Sequence, residues 1–247
     1  MPATENILHA ADCLTPERIL YEDNHLMAVN KNVGEIVQGD KTGDVCMPDV
    51  IKAYIKKRDQ KAGNVYCGVI HRLDRPVSGI VVFAKTSKAL GRMNDLVKQR
   101  NFRKTYWAIA KELANTTSAP TSGHLEDWLL RNEKQNKSYV VAEGTPGAKL
   151  ARLDFRVLAV SKGGYHLIEI DLHTGRHHQI RCQLAHDGWY IKGDLKYGAP
   201  RSNPDGGISL HARSIEFEHP VRHETITIVA PPPEEFTHLF DLQNHPL

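Results

Sequence analysis

No apolar run in the sequence approaches the roughly 18 residues that a membrane-spanning helix needs, so nothing in it reads as a bilayer segment. The polar start, Met1 to Glu17, lacks the basic and apolar blocks of a signal peptide. Cysteine is scarce and scattered: Cys13, Cys46, Cys67 and Cys182 form no close pair, which argues against a disulfide framework and against a paired-cysteine zinc site. A cytoplasmic location is therefore expected. There is no Gly-rich dinucleotide or P-loop fingerprint and no close metal-ligand spacing, so neither cofactor nor metal is expected. Repeats and low-complexity tracts are missing, and aromatic residues, at 7%, are sparse. Charge of one sign is lacking too: 32 Lys+Arg against 29 Asp+Glu leave +3, too little to establish a nucleic-acid partner from the sum.

What remains is ordinary globular composition, with 40% hydrophobic and 25% charged residues in 247. A chain of this size buries roughly 70% of its unfolded surface and needs no staple to hold a core. We expect a tail over 1–17 and one domain over 18–247. Basic residues gather at Lys52, Lys56, Lys57, Arg58 and Lys61, and again at Lys98, Arg100, Arg103 and Lys104. These clusters read equally as solvated faces or as a phosphate-binding footprint.

Periodicity supplies the elements. Short strands are expected over 18–21 and 26–29, and a helix over 48–58, where Val50, Ile51, Tyr54 and Ile55 recur at helical spacing. The β-branched stretch Ile80 to Ala84 reads as a buried strand. Ala89, Leu90, Met93, Leu96 and Val97 predict a helix over 88–100 with Ser87 as its N-cap. A strand is expected over 104–110, and the polar region 112–148 reads as a long excursion holding a short strand or two and touching substrate. Segments 150–160 and 165–173 flank Ser161-Lys162-Gly163-Gly164 as a hairpin. A helix over 177–186 stopped by Gly188, strands over 209–218 and 225–229, and a Pro231-Pro232-Pro233 ending complete the chain. Strands outnumber helices, so the expected class is α+β: a mixed, largely antiparallel central sheet with flanking helices.

Three constellations carry chemistry. In His71-Arg72-Leu73-Asp74-Arg75-Pro76-Val77-Ser78-Gly79, a carboxylate lies between two arginines, whose positive charge favours its ionised form. The triplet alone is also a common surface pattern. In Thr174-Gly175-Arg176-His177-His178-Gln179-Ile180-Arg181, a loop runs into a helix whose start can hold a phosphate, and Arg181, one turn in, can reach a buried carboxylate. An ordinary polar helix start has the same look. Tyr106, in Lys104-Thr105-Tyr106-Trp107, is either a core tyrosine or a stacking and proton-moving one.

Taken together and in this order, the three segments resemble the RluA-type RNA pseudouridine synthases from Ile19 to Val229. The family's H-R-L-D with a following S-G stands at His71 to Asp74 and Ser78-Gly79, its K-x-Y at Lys104 to Tyr106, and its T-G-R-x-H-Q-I-R at Thr174 to Arg181. Gly193-Asp194 with Tyr197-Gly198, and Leu210-His211-Ala212 with His219-Pro220, match its closing pieces. The chain departs from the pattern at Asn32, where proline commonly follows the lysine, and at Arg75, a position that is often apolar.

The resemblance implies a pseudouridine synthase fold, and since the residues before Ile19 leave no room for the small N-terminal RNA-binding domain of many relatives, a stand-alone catalytic domain is expected. It implies an RNA partner, ribosomal or transfer RNA, and no small-molecule cofactor, with a monomer as the simplest state. Asp74 is implied as the essential carboxylate, as nucleophile or as base at the sugar. Arg181 is implied as its ion-pair partner, and Tyr106 as the residue against the uracil that helps remove the C5 proton. Arg72 would fill the gap left by a flipped base, and His71, Lys104, Arg176, His178 and Gln179 would line the substrate. Two rivals are an inactive RNA-binding protein on the same fold and a metal-dependent hydrolase prompted by 14 histidines. The second is weakened because adjacent His177 and His178 diverge on a helix and Pro220 breaks any helical pairing of His219 with His223.

Overall fold

The apolar periods above are realised in a computed structural model that describes residues 12–39, 43–113 and 120–241. In chain order the elements are β1 (Ile19–Glu22), β2 (Leu26–Lys31), α1 (Met47–Arg58), β3 (Gly68–Val69), β4 (Ser78–Ala84), α2 (Ser87–Lys98), β5 (Phe102–Glu112) and β6 (Ser122–Asn132). There follow β7 (Lys137–Val141), β8 (Lys149–Val160), β9 (His166–Leu172), α3 (Gln179–His186), β10 (Trp189–Ile191), β11 (Leu210–Glu218), β12 (Thr225–Val229) and α4 (Glu234–Leu239), with single 3-10 turns at Pro16–Arg18 and Leu195–Tyr197. The class is the expected one, strands in largely antiparallel sheet with few helices. The chain divides into two compact units: Met1–Phe102 with Ser214–Pro231, and Arg103–Arg213 with Pro232–Leu247.

In the first unit β2 pairs antiparallel with β1 on one side and β4 on the other, and β3 adds to β4. All seven residues of β4 are buried, as its continuous apolar run requires. Leu26, Ala28, Ile80, Val82 and Ala84 form one core with Ala89 and Met93 of α2 and with Ile215, Phe217 and Ile228 of the β11–β12 hairpin. The cap of α2 is a correction: Thr86, not Ser87, has the extended backbone of an N-cap, and its Oγ1 accepts from Ala89 N at 3.1 Å. The helix also stops short of 100. Arg100 adopts φ +63°, and bonds from Arg100 N to Val97 O and from Asn101 N to Leu96 O close the end in the Schellman pattern. Residues 1–11 of the expected tail lie outside the described residues.

In the second unit the strand order is β10-β5-β9-β8-β6-β7. The polar region 112–148 holds two strands. One of them, β6, is eleven residues long and pairs along β8. Its length was hidden because an exposed and half-buried alternation from Ser122 to Trp128 carries few strongly apolar residues. Two elements of this unit went unforeseen, as did the two-residue β3 of the first. Short β10 pairs β5, and α4 starts directly after Pro233, packing Phe236 on Trp107, Ile109 and Leu167. The proline run precedes this helix instead of ending the fold, since a proline needs no N–H there.

Candidate active site

The first unit presents Asp74 half-buried on a turn just ahead of β4. Val77 N closes this turn on Asp74 O at 3.0 Å, and Gly34 N donates to Arg75 O at 2.9 Å. The support beneath it was not foreseen. Lys31, at the end of β2, has no exposed surface, and its Nζ donates to Val77 O (2.6 Å), Arg75 O (3.1 Å) and Asn32 O (3.0 Å). Burial pushes this ammonium down to about 8, while the charges of Glu35 and Asp74 pull it back up. A lysine closing an apolar strand was the available signal.

Gly79 pairs opposite Lys31 with φ +112°, a backbone that a residue with a Cβ rarely adopts, which is why the turn into β4 needs glycine there. The Nε2 of His71 accepts from Val82 N at 3.1 Å, so the imidazole braces the loop against β4. The arginines flanking Asp74 engage other groups: Arg72 donates to Gln38 Oε1 at 3.2 Å, and Arg75 pairs with Asp44 at 2.9 Å. Replacing Lys31 with Met should strip three carbonyls of their donor. We expect a loss of about 3 kcal/mol, which is a fall of roughly 6–12 °C in melting temperature for a chain of this size. An unchanged melting curve by circular dichroism would show that the ammonium is dispensable to the loop.

The second unit gathers the other motifs. Tyr106 is buried on β5, in register with Ile170 of β9. A Cβ on Gly175 would lie 3.4 Å from Lys104 Nζ, so the lysine flanks the Thr174-Gly175-Arg176 loop, and burial lowers its ammonium pKa. That loop is held by a directional relay. Asp127 Oδ2 accepts from Gln183 Nε2 (2.8 Å), Gln183 Oε1 accepts from Gln179 Nε2 (3.0 Å), and Gln179 Oε1 accepts from Arg176 N (3.0 Å) and from the Thr174 hydroxyl (2.8 Å). Because a carboxylate only accepts, Asp127 fixes which end of each amide faces the next. The Arg176 N–H is thereby used internally, and Gln179 N likewise bonds Arg176 O, so these two donors are not offered to a phosphate as expected.

Helix α3 begins at Gln179, two residues later than expected, because His178 takes a left-handed backbone at φ +52°. Its ring stacks on His177 with centroids 3.8 Å apart, and its Nδ1 lies 3.1 Å from Tyr197 Oη. Burial first, then the charge of Arg181, push the His178 imidazole down to about 2. The unfolded chain takes up a proton near 6.5 that the folded one refuses, so this contribution to stability is complete above that pH and is lost as pH falls toward 2, by about 1.4 kcal/mol per pH unit. His178→Gln should flatten the acid limb of the stability curve. A slope identical to wild type between about pH 6 and 4 would assign that limb to other groups.

Arg181 reaches a buried carboxylate, as its place on the helix allows, in Asp194. Nε donates to Oδ2 at 2.6 Å and Nη2 to Oδ1 at 2.8 Å, with the two side chains 6% and 1% exposed. The guanidinium also lies over the Tyr197 ring, 5.1 Å from its centroid. Gly193 sets this carboxylate in place with φ +86°, and a Cβ there would come within 2.7 Å of Gly207 O. Asp194 stood in the family motif, but only the fold shows what it holds. Among the described residues no group of three or more His, Cys, Asp or Glu is arranged to hold a metal ion, and no helix is long and apolar enough to cross a membrane.

Comparison with known proteins agrees with these motifs. Residues 25–186 match the sequence model of the family described as RNA pseudouridylate synthase. An uncharacterized RNA pseudouridine synthase of Synechocystis is 33% identical over 231 residues, covering 91% of this chain and 68% of the relative. The ribosomal large subunit pseudouridine synthase D of Xanthomonas campestris is 31% identical over 254 residues, covering 95% and 72%. Among solved structures, human RNA pseudouridylate synthase domain containing 4 superposes with a TM-score of 0.77 at 24% identity, covering 97% of this chain and 96% of that one.

Proposed function

Since the chain belongs to the RNA pseudouridylate synthase family and isomerises uridine in RNA to pseudouridine, we propose that its target is ribosomal RNA of the large subunit and that Asp74 is the group without which no product forms. The target rests on one observation: relatives of Xanthomonas campestris and Xylella fastidiosa, 31% and 32% identical, are named ribosomal large subunit pseudouridine synthase D. The assignment of Asp74 rests on the match of His71 to Asp74 with the family's central motif.

The reaction breaks the bond from C1′ of the ribose to N1 of uracil, turns the ring, joins C1′ to C5, and returns the C5 proton to solvent while N1 takes one up. No electrons or groups are gained or lost. The uridine must leave the base stack to be reached. In this reading the Asp74 carboxylate acts at the ribose, the Tyr106 hydroxyl serves proton removal at C5, and Arg181 supplies the cationic partner that the family motif implies. Arg72, exposed and planar, suits stacking in the place of the flipped base. His71, Lys104, Arg176, His178 and Gln179 shape the surroundings of the substrate.

The test is to map pseudouridine across total RNA from cells with and without the gene. A site in large-subunit ribosomal RNA that disappears on deletion and returns with the wild-type gene is the expected result. A site lost from transfer RNA alone would overturn the target.

A further inference from the structure

We infer that the RNA phosphates are held by the β6–β7 hairpin together with the Leu195–Tyr197 turn, and not by the lysine-rich helix α1. This rests on the RNA-modifying reading above and concerns where the RNA backbone lies.

The two cationic surfaces differ in what surrounds them. On and just beyond α1, Lys52 lies 3.1 Å from Asp49, Lys57 lies 2.7 Å from Asp12, Arg58 forks onto Glu22 at 2.6 and 2.9 Å and also meets Asp59, and Lys61 is 3.7 Å from Asp59. Counting Lys56, and Lys85, which shares Glu22 at 2.6 Å, six cations there stand with four carboxylates, and all but Lys56 lie against one of them. A phosphate arriving at such a surface must compete with carboxylates already in place and releases fewer counterions.

Between Arg131 and Lys137 the β6–β7 turn sets three cations, Arg131, Lys134 and Lys137, beside one acid, Glu133, and Lys196 joins them through Gln135 O and Asn136 O. The contacts of Arg131, Lys137 and Lys196 are to neutral groups. Arg131 Nη2 reaches Asn136 Oδ1 at 3.4 Å, Lys196 Nζ donates to Gln135 O (3.3 Å) and Asn136 O (3.0 Å), and Lys137 Nζ lies over the rings of Tyr139 and Tyr197, 5.2 and 4.8 Å from their centroids. The positive field here is left for a ligand to neutralise. Tyr139 is 40% exposed beside these cations, an aromatic face on which a base can stack.

The hairpin is also fixed to the residues that matter. Ser138 Oγ donates to His177 O at 2.7 Å, His177 Nε2 lies 3.0 Å from Asn136 Oδ1, and Ser138 N donates to Tyr197 Oη at 2.8 Å. The turn therefore travels with the Thr174–Arg181 segment as one body. Cations placed this way hold a phosphate at a set distance from that segment, which serves register as well as affinity.

The experiment measures binding of an unmodified large-subunit ribosomal RNA transcript to the full chain across about 50 to 300 mM KCl, because the slope of log affinity against log salt counts phosphate contacts. Combined Arg131→Gln, Lys134→Gln and Lys196→Gln should make that slope shallower by about 2 and weaken binding near 150 mM by roughly tenfold. Combined Lys52→Gln, Lys56→Gln and Lys57→Gln should move the slope by less than about 0.5. A charge-keeping Arg131→Lys, Lys134→Arg and Lys196→Arg variant should restore the wild-type slope, which a merely structural role would not require.

The inference is overturned if the α1 variant loses the slope and the hairpin variant keeps it, or if neither moves it. Turnover is scored separately. A wild-type protein that binds with the predicted slopes but forms no pseudouridine in any RNA would sink the functional reading while upholding the hairpin. Normal product formation with an unaltered slope in the hairpin variant would do the reverse.

Discussion

Asn in place of Asp74 should leave RNA bound and product absent, with turnover below roughly a thousandth of wild type. The substitution keeps the size of the side chain and removes its charge. The turn beneath it is built by other atoms: Val77 N on Asp74 O, Gly34 N on Arg75 O, and Lys31 Nζ on the carbonyls of Arg75 and Val77. The scaffold should therefore persist, with a melting temperature within roughly 3 °C of wild type, an amount that corresponds to about 1 kcal/mol. Pseudouridine formation on ribosomal RNA and the dissociation constant are to be measured on the same preparation. Substantial turnover in Asp74→Asn would remove the carboxylate from the mechanism, and lost binding with lost folding would make its role structural.

Truncating Asp194 should be nearly as damaging by a different route. Both members of the Arg181–Asp194 pair are buried, and breaking a buried ion pair by removing one member costs about 3–5 kcal/mol. For Asp194→Ala we expect a fall of roughly 10 °C in melting temperature and at least about a tenfold loss of activity at a temperature where the protein is still folded. Arg181→Lys retains a charge but not the two-pronged geometry, so it should lose activity out of proportion to its stability. The double variant Arg181→Met with Asp194→Leu separates the two effects. Replacing a buried pair with apolar side chains is often neutral for stability, so the protein should regain most of its melting temperature and stay inactive. An active double variant would show that the pair only holds the fold.

The legible parts of the chain were those written in local periods. The continuous apolar run of β4, the three-and-four spacing of α2 and the alternation of β9 each record burial of a face, and burial is decided within a few residues. The order of the short motifs was enough to point to the family, and it put Asp74 in a loop ahead of a core strand, where the structure has it. Weak periods misled: β6 looked like an excursion because its half-buried face is mixed, and the start of α3 was set too early because nothing local announces the left-handed backbone of His178.

By itself, then, the sequence determined the fold class, the family and the residues to suspect, since side-chain periodicity and motif wording survive without coordinates. Which groups meet was decided only by tertiary structure. Lys31 bonds residues 44 and 46 positions away, Gln183 finds Asp127 across 56, and Arg58 cancels Glu22 across 36. Hydrogen bonds and ion pairs depend on separations of about 3 Å in space, a quantity that distance along the chain does not carry. The lysine cluster most conspicuous in the sequence is for this reason the one whose Lys57 and Arg58 the fold pairs with the distant Asp12 and Glu22, while the cations near the β6–β7 turn become a surface only when strand pairing brings them together.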